Sequence, residues 1–286
     1  MSRPEILTLG HSPDPDDAFM FYALAQNKID TRGWRFEHIL QDIQTLNERA
    51  LRGELHISAV SIFGYAHVLE RYALLSSGAS MGDGYGPLLV APAATTVPEP
   101  SKVRDWLRER TIALPGKMTS AYLALRLYLG EVNAVVVPFD EIFAFVAARR
   151  ADVGLIIHEG QLTYAKEGFS KIMDLGEWWK TETGLPLPLG GNVIRKDIAP
   201  AARRQINGIL RESIRYGLTH RAAGVAHAMP LARGMDNTLA DRFIGMYVNE
   251  FTLDYGDLGR RAIREFLSRA YRQGLVASPV ELEFVE

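Results

Sequence analysis

The chain has 286 residues, 47% of them apolar, with a net charge of −2 and no cysteine. That length exceeds one compact core and predicts two domains, while the 32 Lys and Arg are scattered singly or in pairs and offer no basic stripe to nucleic acid. The absence of Cys excludes disulfides, thiolate nucleophiles and Cys-ligated metals.

The opening residues, MSRPEILTLGHSPDPDD, turn acidic before any long apolar run, so they do not read as a signal peptide. No stretch approaches the roughly 20 apolar residues of a membrane span. A cytoplasmic protein with no membrane partner is expected. Residues 5–10 (EILTLG) read as a buried strand and 16–29 as a helix. WRFEHIL (34–40) alternates like a strand, 43–54 is helical, 55–62 is a strand and 63–72 a short helix. This βαβαβ pattern predicts parallel strands covered by helices. A glycine-rich loop and a strand occupy 78–92. A second α/β series then follows: strand 111–115, helix 118–130, strand 134–138, helix 140–149 and strand 152–157. Residues 184–197 are rich in Pro and Gly and then strand-like, and beyond them only helices are predicted, at 200–219, 221–228, 238–249 and 256–273.

The second series lies between two strand-like passages, 87–92 and 189–195. Read as paired crossovers, they divide the chain into a lobe of 1–92 plus 192–286 and an inserted lobe of 93–191. Two α/β lobes joined by two hinge strands enclose a ligand cleft, faced by strand C-termini and helix N-termini of both lobes. One large doubly wound sheet is the alternative.

Five stretches carry candidate chemistry. In LPGKMTSAY (114–122) a strand runs through a Pro-Gly turn into a helix headed by Thr119 and Ser120. Unpaired N–H groups and the helix dipole there favour an anion or carbonyl oxygen, with Lys117 near by. Simple N-capping by either hydroxyl is the competing reading. Met118 after the Lys rules out a phosphate-binding P-loop. In HSPDPDD (11–17) the prolines stiffen a turn that Asp14 or Asp16 can cap. Ser12 and these carboxylates are candidates to bind substrate hydroxyls, a rigid capped turn being the plainer alternative. The spacing matches no calcium loop, and neither a metal nor a cofactor is expected. In VGLIIHEG (153–160) an apolar strand ends in His158 and Glu159, where an imidazole can serve as a general base or simply hydrogen-bond at a loop start. In MGDGYGP (81–87) Gly86 is a candidate cleft or hinge residue. Trp178 and Trp179, being adjacent, cannot both face one way, and ordinary packing covers both.

Several motifs together resemble the 1,4-dihydroxy-6-naphthoate synthase family of the futalosine route to menaquinone. They are Leu9-Gly10-x-Ser12-Pro13-x-Pro15-x-Asp17, Phe19-x-Phe21-Tyr22-Ala23-Leu24, Asp42-Ile43-x-Thr45-Leu46-Asn47, Gly86-Pro87-Leu88, Thr119-x-Ala121-Tyr122, Gly154 to Glu159 and Gly184 to Gly190. The resemblance runs nearly end to end. It implies the two-lobed periplasmic-binding-protein-like type II fold, used as a carbon–carbon lyase on cyclic dehypoxanthine futalosine. It further implies His158 as proton acceptor, with substrate held by Thr119, Ser120 and the segment around Ser61. The substrate expected is a small molecule with a carboxylate and sugar hydroxyls. The family pattern has Phe, Cys and Asn where this chain has His11, Asp14 and Asp16, and Thr at 120, departures that bear on substrate preference.

Three other functions fit the same architecture. Chorismate dehydratase is one, but the Tyr-Leu-Asn turn after its first strand is absent here. A non-catalytic small-acid solute-binding protein is another, opposed by the missing export signal. A LysR-type sensor domain is the third, and nothing in residues 1–20 suggests a DNA-binding module. Oligomeric state is not legible.

Overall fold

A computed structural model of the chain describes residues 6–286. Glu5, the expected start of the first strand, and the rest of the Met1–Glu5 portion of the opening stretch lie outside the described residues.

Two mixed sheets form the frame. The first has the order β12-β4-β11-β3-β1-β2, with β5 paired to β11. Its strands are β1 (Ile6–His11), β2 (Arg35–Leu40), β3 (Ile57–Ser61), β4 (Tyr72–Leu75), β5 (Ser80–Gly82), β11 (Leu187–Arg195) and β12 (Phe284–Val285). The second has the order β10-β6-β9-β7-β8. It contains β6 (Leu88–Pro92), β7 (Thr111–Leu114), β8 (Asn133–Val136), β9 (Val153–Ile156) and β10 (Phe169–Asp174). The predicted βαβ units are parallel: β1 pairs with β2 and β3, and β7 with β8 and β9. The crossing strands run against them, β11 antiparallel to β3, β4 and β5, and β6 antiparallel to β9 and β10. Since β6 pairs wholly within the second sheet, the limit of 92 read from sequence falls at the far end of that strand rather than before it.

Local chemistry explains the elements. Every side chain of β3 is buried, as for a central strand, whereas β2 lies at the sheet edge and keeps its alternation. The helix Ile43–Arg52 begins at Asp42, whose carboxylate accepts from the N–H groups of Gln44 (3.0 Å) and Thr45 (3.1 Å). It ends at Gly53, where φ is +69°, a conformation that favours glycine. The helix Gly256–Arg272 buries Gly259, Ala262, Ile263, Phe266, Leu267 and Ala270, a stripe at helical spacing worth about 1.5–3 kcal/mol for each large apolar side chain.

The structure differs from the sequence expectations in several elements. The helix expected over 63–72 stops at Tyr65, and Tyr72–Leu75 becomes β4, because these four buried residues fill the space between β11 and β12. The helix expected over 16–29 breaks at Phe21 into Pro15–Met20 and Tyr22–Ala25. Helices Val103–Arg108 and Leu175–Thr183 and strand β10 are additional. The C-terminal region is not purely helical, since Phe284–Val285 adds to β4 in parallel.

Candidate active site

A cavity of about 130 Å³ lies between the two sheets. On the first-sheet side its wall is the turn after β1 (Ser12, Asp14, Asp16, Asp17), Ser61 at the end of β3, and the glycine bend Gly190-Gly191 with Asn192 on β11. The opposite wall is the head of the helix Ser120–Leu129, with Ile157 and Gln161 beyond β9. Phe243 and Tyr247, from the helix Asn237–Tyr247, close a third side. Strand C-termini and a helix N-terminus thus converge on it, the usual ligand position in open α/β sheets.

The helix head differs from the expectation in detail. Thr119 is the N-cap: its hydroxyl accepts from the N–H of Tyr122 (3.1 Å) and donates to the carbonyl of Gly116 (2.9 Å). Ser120 donates to the carbonyl of Leu189 (2.6 Å) and accepts from the N–H of Phe63 (3.2 Å). Both side chains line the cavity, but both hydroxyls are occupied by the protein. What remains for an anion is the pair of backbone N–H groups of Ser120 and Ala121 in the first helical turn. Lys117 is exposed and does not line the cavity.

Ser61 is the better placed hydroxyl. Its N–H donates to Asn47 Oδ1 (2.9 Å) and its Oγ accepts from Asn47 Nδ2 (3.1 Å). Its own proton has no acceptor among the described residues and is available to a ligand. Gly86 does not line the cavity, although its neighbour Pro87 does. A Cβ at 86 would stand 3.0 Å from the Cα and N of Gly176, so glycine there permits close main-chain packing. Trp179 is fully buried, with its N–H on the carbonyl of Pro186 (3.0 Å), and the ring of Trp178 packs at a tilt against Tyr128. Both are packing residues.

The acidic turn does not cap its helix. Asp14 holds the N-cap position without a side-chain capping bond. Its carboxylate instead accepts from Ser12 Oγ (2.8 Å) and from Arg233 Nη1 (2.8 Å). Asp17 accepts from the N–H of Ser12 (2.6 Å). Asp16 has no ion-pair partner among the described residues. Burial, then the charges of Asp17 and Asp14, push its carboxyl well above the ordinary range. Asp17 is raised to about 7, chiefly by burial. The turn therefore favours the protonated, hydrogen-bond-donating form more than exposed carboxyls would, with Asp17 close to its midpoint near pH 7.

His158 is 7% exposed and lines a smaller pocket of about 20 Å³ that shares Asp14, Ile43 and Ile157 with the main cavity. Its Nε2 lies 3.1 Å from the carbonyl of Phe139, and its Nδ1 accepts from the N–H of Gly160 (3.0 Å). These partners assign the proton to Nε2 and leave Nδ1 as the basic atom. Glu159 Oε2 stands 3.6 Å from Nδ1. Burial opposes ionisation of Glu159, but His158, in its protonated form, and the charge of Arg233 outweigh it and hold the carboxyl below its usual value.

Several contributors were not singled out as site residues in the sequence, although Asn47 closes the Asp42–Asn47 motif. Asn47 sits on the buried face of its helix and also reaches the carbonyl of Met118 (3.3 Å), so one amide joins both cavity walls. Tyr247 donates to the side-chain oxygen of Gln161 across the cleft. Arg233 spans the same gap from the turn preceding the helix Asn237–Tyr247. A polar residue on an otherwise apolar helix face was the available signal for Asn47. Arg233 and Tyr247 offered none, lying far along the chain from everything they touch.

Comparison with known proteins agrees with this architecture. A family model described as menaquinone biosynthesis matches residues 7–272. A 1,4-dihydroxy-6-naphthoate synthase of Thermus thermophilus is 37% identical over 96% of this chain and 97% of its own length. One of Streptomyces coelicolor is 38% identical over 95% of each. The crystal structure of a protein from Archaeoglobus fulgidus matches with a TM-score of 0.88 and 38% identity, covering 95% of this chain and 98% of that one. The alkanesulfonate-binding protein SsuA of Xanthomonas axonopodis pv. citri, bound to MOPS, has a TM-score of 0.71 at 13% identity over 98% and 97% of the chains. At that identity the likeness concerns the fold alone, which is the two-lobed periplasmic-binding-protein-like one.

Proposed function

The chain belongs to the menaquinone-biosynthesis family, and from that premise we propose that it is a carbon–carbon lyase converting cyclic dehypoxanthine futalosine to 1,4-dihydroxy-6-naphthoate, with His158 as general base. The relatives support an enzyme of menaquinone biosynthesis. The choice of base rests on one observation: the imidazole lines a pocket adjoining the cavity between the sheets, the two sharing Asp14, Ile43 and Ile157 as lining residues.

On this reading the naphthoate carboxylate lies against the N–H groups of Ser120 and Ala121, where the helix dipole favours negative charge. Ser61 donates its free hydroxyl proton to the substrate. Ser12, Asp14 and Asp16 face the sugar hydroxyls. A sugar hydroxyl replaces the Gly160 N–H at His158 Nδ1 and gives up its proton there. Its carbon–oxygen bond becomes a carbonyl, the adjacent carbon–carbon bond breaks, and the released ring takes up the electron pair and a proton. Glu159 steadies the imidazolium that forms.

The test is incubation with cyclic dehypoxanthine futalosine, followed by the naphthoate chromophore. His158→Asn should lower kcat by about 10²–10⁴, the usual contribution of a positioned base, while substrate still binds within a few-fold. Full activity of that variant would remove His158 from the mechanism, and no chromophore from the wild type would remove the reaction.

A further inference from the structure

We propose that Arg233 is a positioning residue that sets the ionisation and orientation of His158 through Glu159, and that Asp14 holds it there. The inference deepens the reading of His158 as the base and rests on it for its catalytic consequence.

Arg233 stands where the two walls meet. Its Nη1 lies 2.8 Å from Asp14 Oδ1 and 3.2 Å from each oxygen of Glu159, and its Nη2 donates to the carbonyl of Pro13 (3.1 Å). Its guanidinium lies 4.8 Å over the ring of Phe139. Glu159 and Phe139 are also the groups that hold the imidazole: one faces Nδ1, and the other accepts from Nε2 and packs its ring 5.5 Å away. One cation therefore touches both sides of the setting of His158, from an element far away in the chain.

The charge balance makes this contact consequential. Glu159 is 5% exposed, and Arg233 is the sole Lys or Arg in ion-pair range of it among the described residues. A buried carboxylate without a cation is costly and recovers charge from its nearest basic neighbour. Here that neighbour is Nδ1 of His158. While Arg233 is present, its guanidinium balances the charge of Glu159, so the imidazole faces a carboxylate that is already paired. Without it, Glu159 stabilises the imidazolium, which cannot accept a proton. The other charged groups facing the ring are Asp14 and Asp42, from the turn and helix across the pocket. Asp140 and Glu141 follow Phe139 and are exposed. Of these, Asp14 alone is paired with Arg233 and also loses its cation in Arg233→Gln.

The experiment is NMR titration of His158 in the labelled full chain, beside the pH profile of kcat/KM, for wild type, Arg233→Gln and Arg233→Lys. In Arg233→Gln the His158 midpoint is expected to rise by about one pH unit or more, and the acid limb of kcat/KM to rise with it. Arg233→Lys should lie between. Glu159→Gln in the Arg233→Gln background should cancel most of the rise, leaving only what the unpaired Asp14 contributes, and it supplies a second reading if Arg233→Gln alone folds poorly. An unmoved His158 midpoint in Arg233→Gln overturns the proposal. A midpoint that rises while the rate profile stays put upholds the coupling and instead sinks His158 as the base.

Discussion

Asn47 grips Ser61 by both edges of its amide, accepting from the Ser61 N–H at 2.9 Å and donating to the Ser61 hydroxyl at 3.1 Å. The same Nδ2 reaches the carbonyl of Met118 at 3.3 Å in the opposite wall. The amide is 1% exposed, so its groups have no solvent to turn to if one partner is lost. Asn47→Ala is expected to destabilise the protein by about 2–3 kcal/mol, from one lost bond to each wall and an orphaned Ser61 N–H. Urea unfolding would measure it. Asn47→Asp keeps the acceptor and loses the donor, so Ser61 should stay placed at a smaller cost, with KM raised less than in the Ala variant.

Thr119 and Ser120 are adjacent but have separable roles. Thr119→Val removes the N-cap and is expected to cost about 1 kcal/mol, with Thr119→Ser restoring most of it. Ser120→Ala removes the hydroxyl that joins Leu189 to Phe63 while leaving the helix capped. Its cost should be about 1–2 kcal/mol, and the anion-facing N–H groups survive. Inhibition by a simple naphthoate, read beside denaturation, separates the two effects. If Ser120→Ala abolished naphthoate binding, its hydroxyl rather than the backbone would be the anion donor.

His11 imposes acid sensitivity. It is 4% exposed, with Nε2 3.0 Å from His38 Nδ1. Burial, then the charge of His38, lowers its pKa from 6.5 to about 4. Between those values the unfolded chain binds a proton that the folded chain refuses, so stability falls as pH drops through that window, by about 3 kcal/mol for this group. His38, lowered mainly by burial, acts in the same direction. His11→Phe, a ring that suits the neighbouring Phe21, should make the stability loss from pH 6.5 to 4 distinctly shallower. An identical slope in wild type and variant would contradict the assignment.

Asp16 acts with the opposite sign. Its raised folded pKa means the native state keeps a proton that the unfolded chain gives up, so stability falls as pH rises above the ordinary carboxyl range. Asp16→Asn keeps the shape and removes the charge. Thermal unfolding should show little difference near pH 3 and a rise in Tm of about 2–4 °C at pH 8, the size of a typical relieved charge repulsion in a chain of this length. A lower Tm at pH 8 would mean that the carboxylate is welcome where it stands.

Much of the architecture was determined by sequence alone, because it depends on periodicity within short windows. Alternation marked β2, apolar runs marked β1, β3, β7 and β9, and the spacing of apolar residues marked the long C-terminal helices. The motifs at 9–17, 119–122 and 154–159 pointed to the cavity walls, since each is a strand end or helix head whose neighbours in sequence remain its neighbours in space. What only the tertiary structure decided is which polar groups are free. Thr119, Ser120 and Asp14 read as open ligand-binding groups in one dimension, yet each already has protein partners, Gly116 and Tyr122, Leu189 and Phe63, and Ser12 and Arg233. The short strand Tyr72–Leu75 and the reach of Arg233 to Glu159 were hidden for the same reason. A four-residue strand gains its stability from the strands beside it, and an ion pair from proximity, and both partners come from distant parts of the chain that only folding brings together.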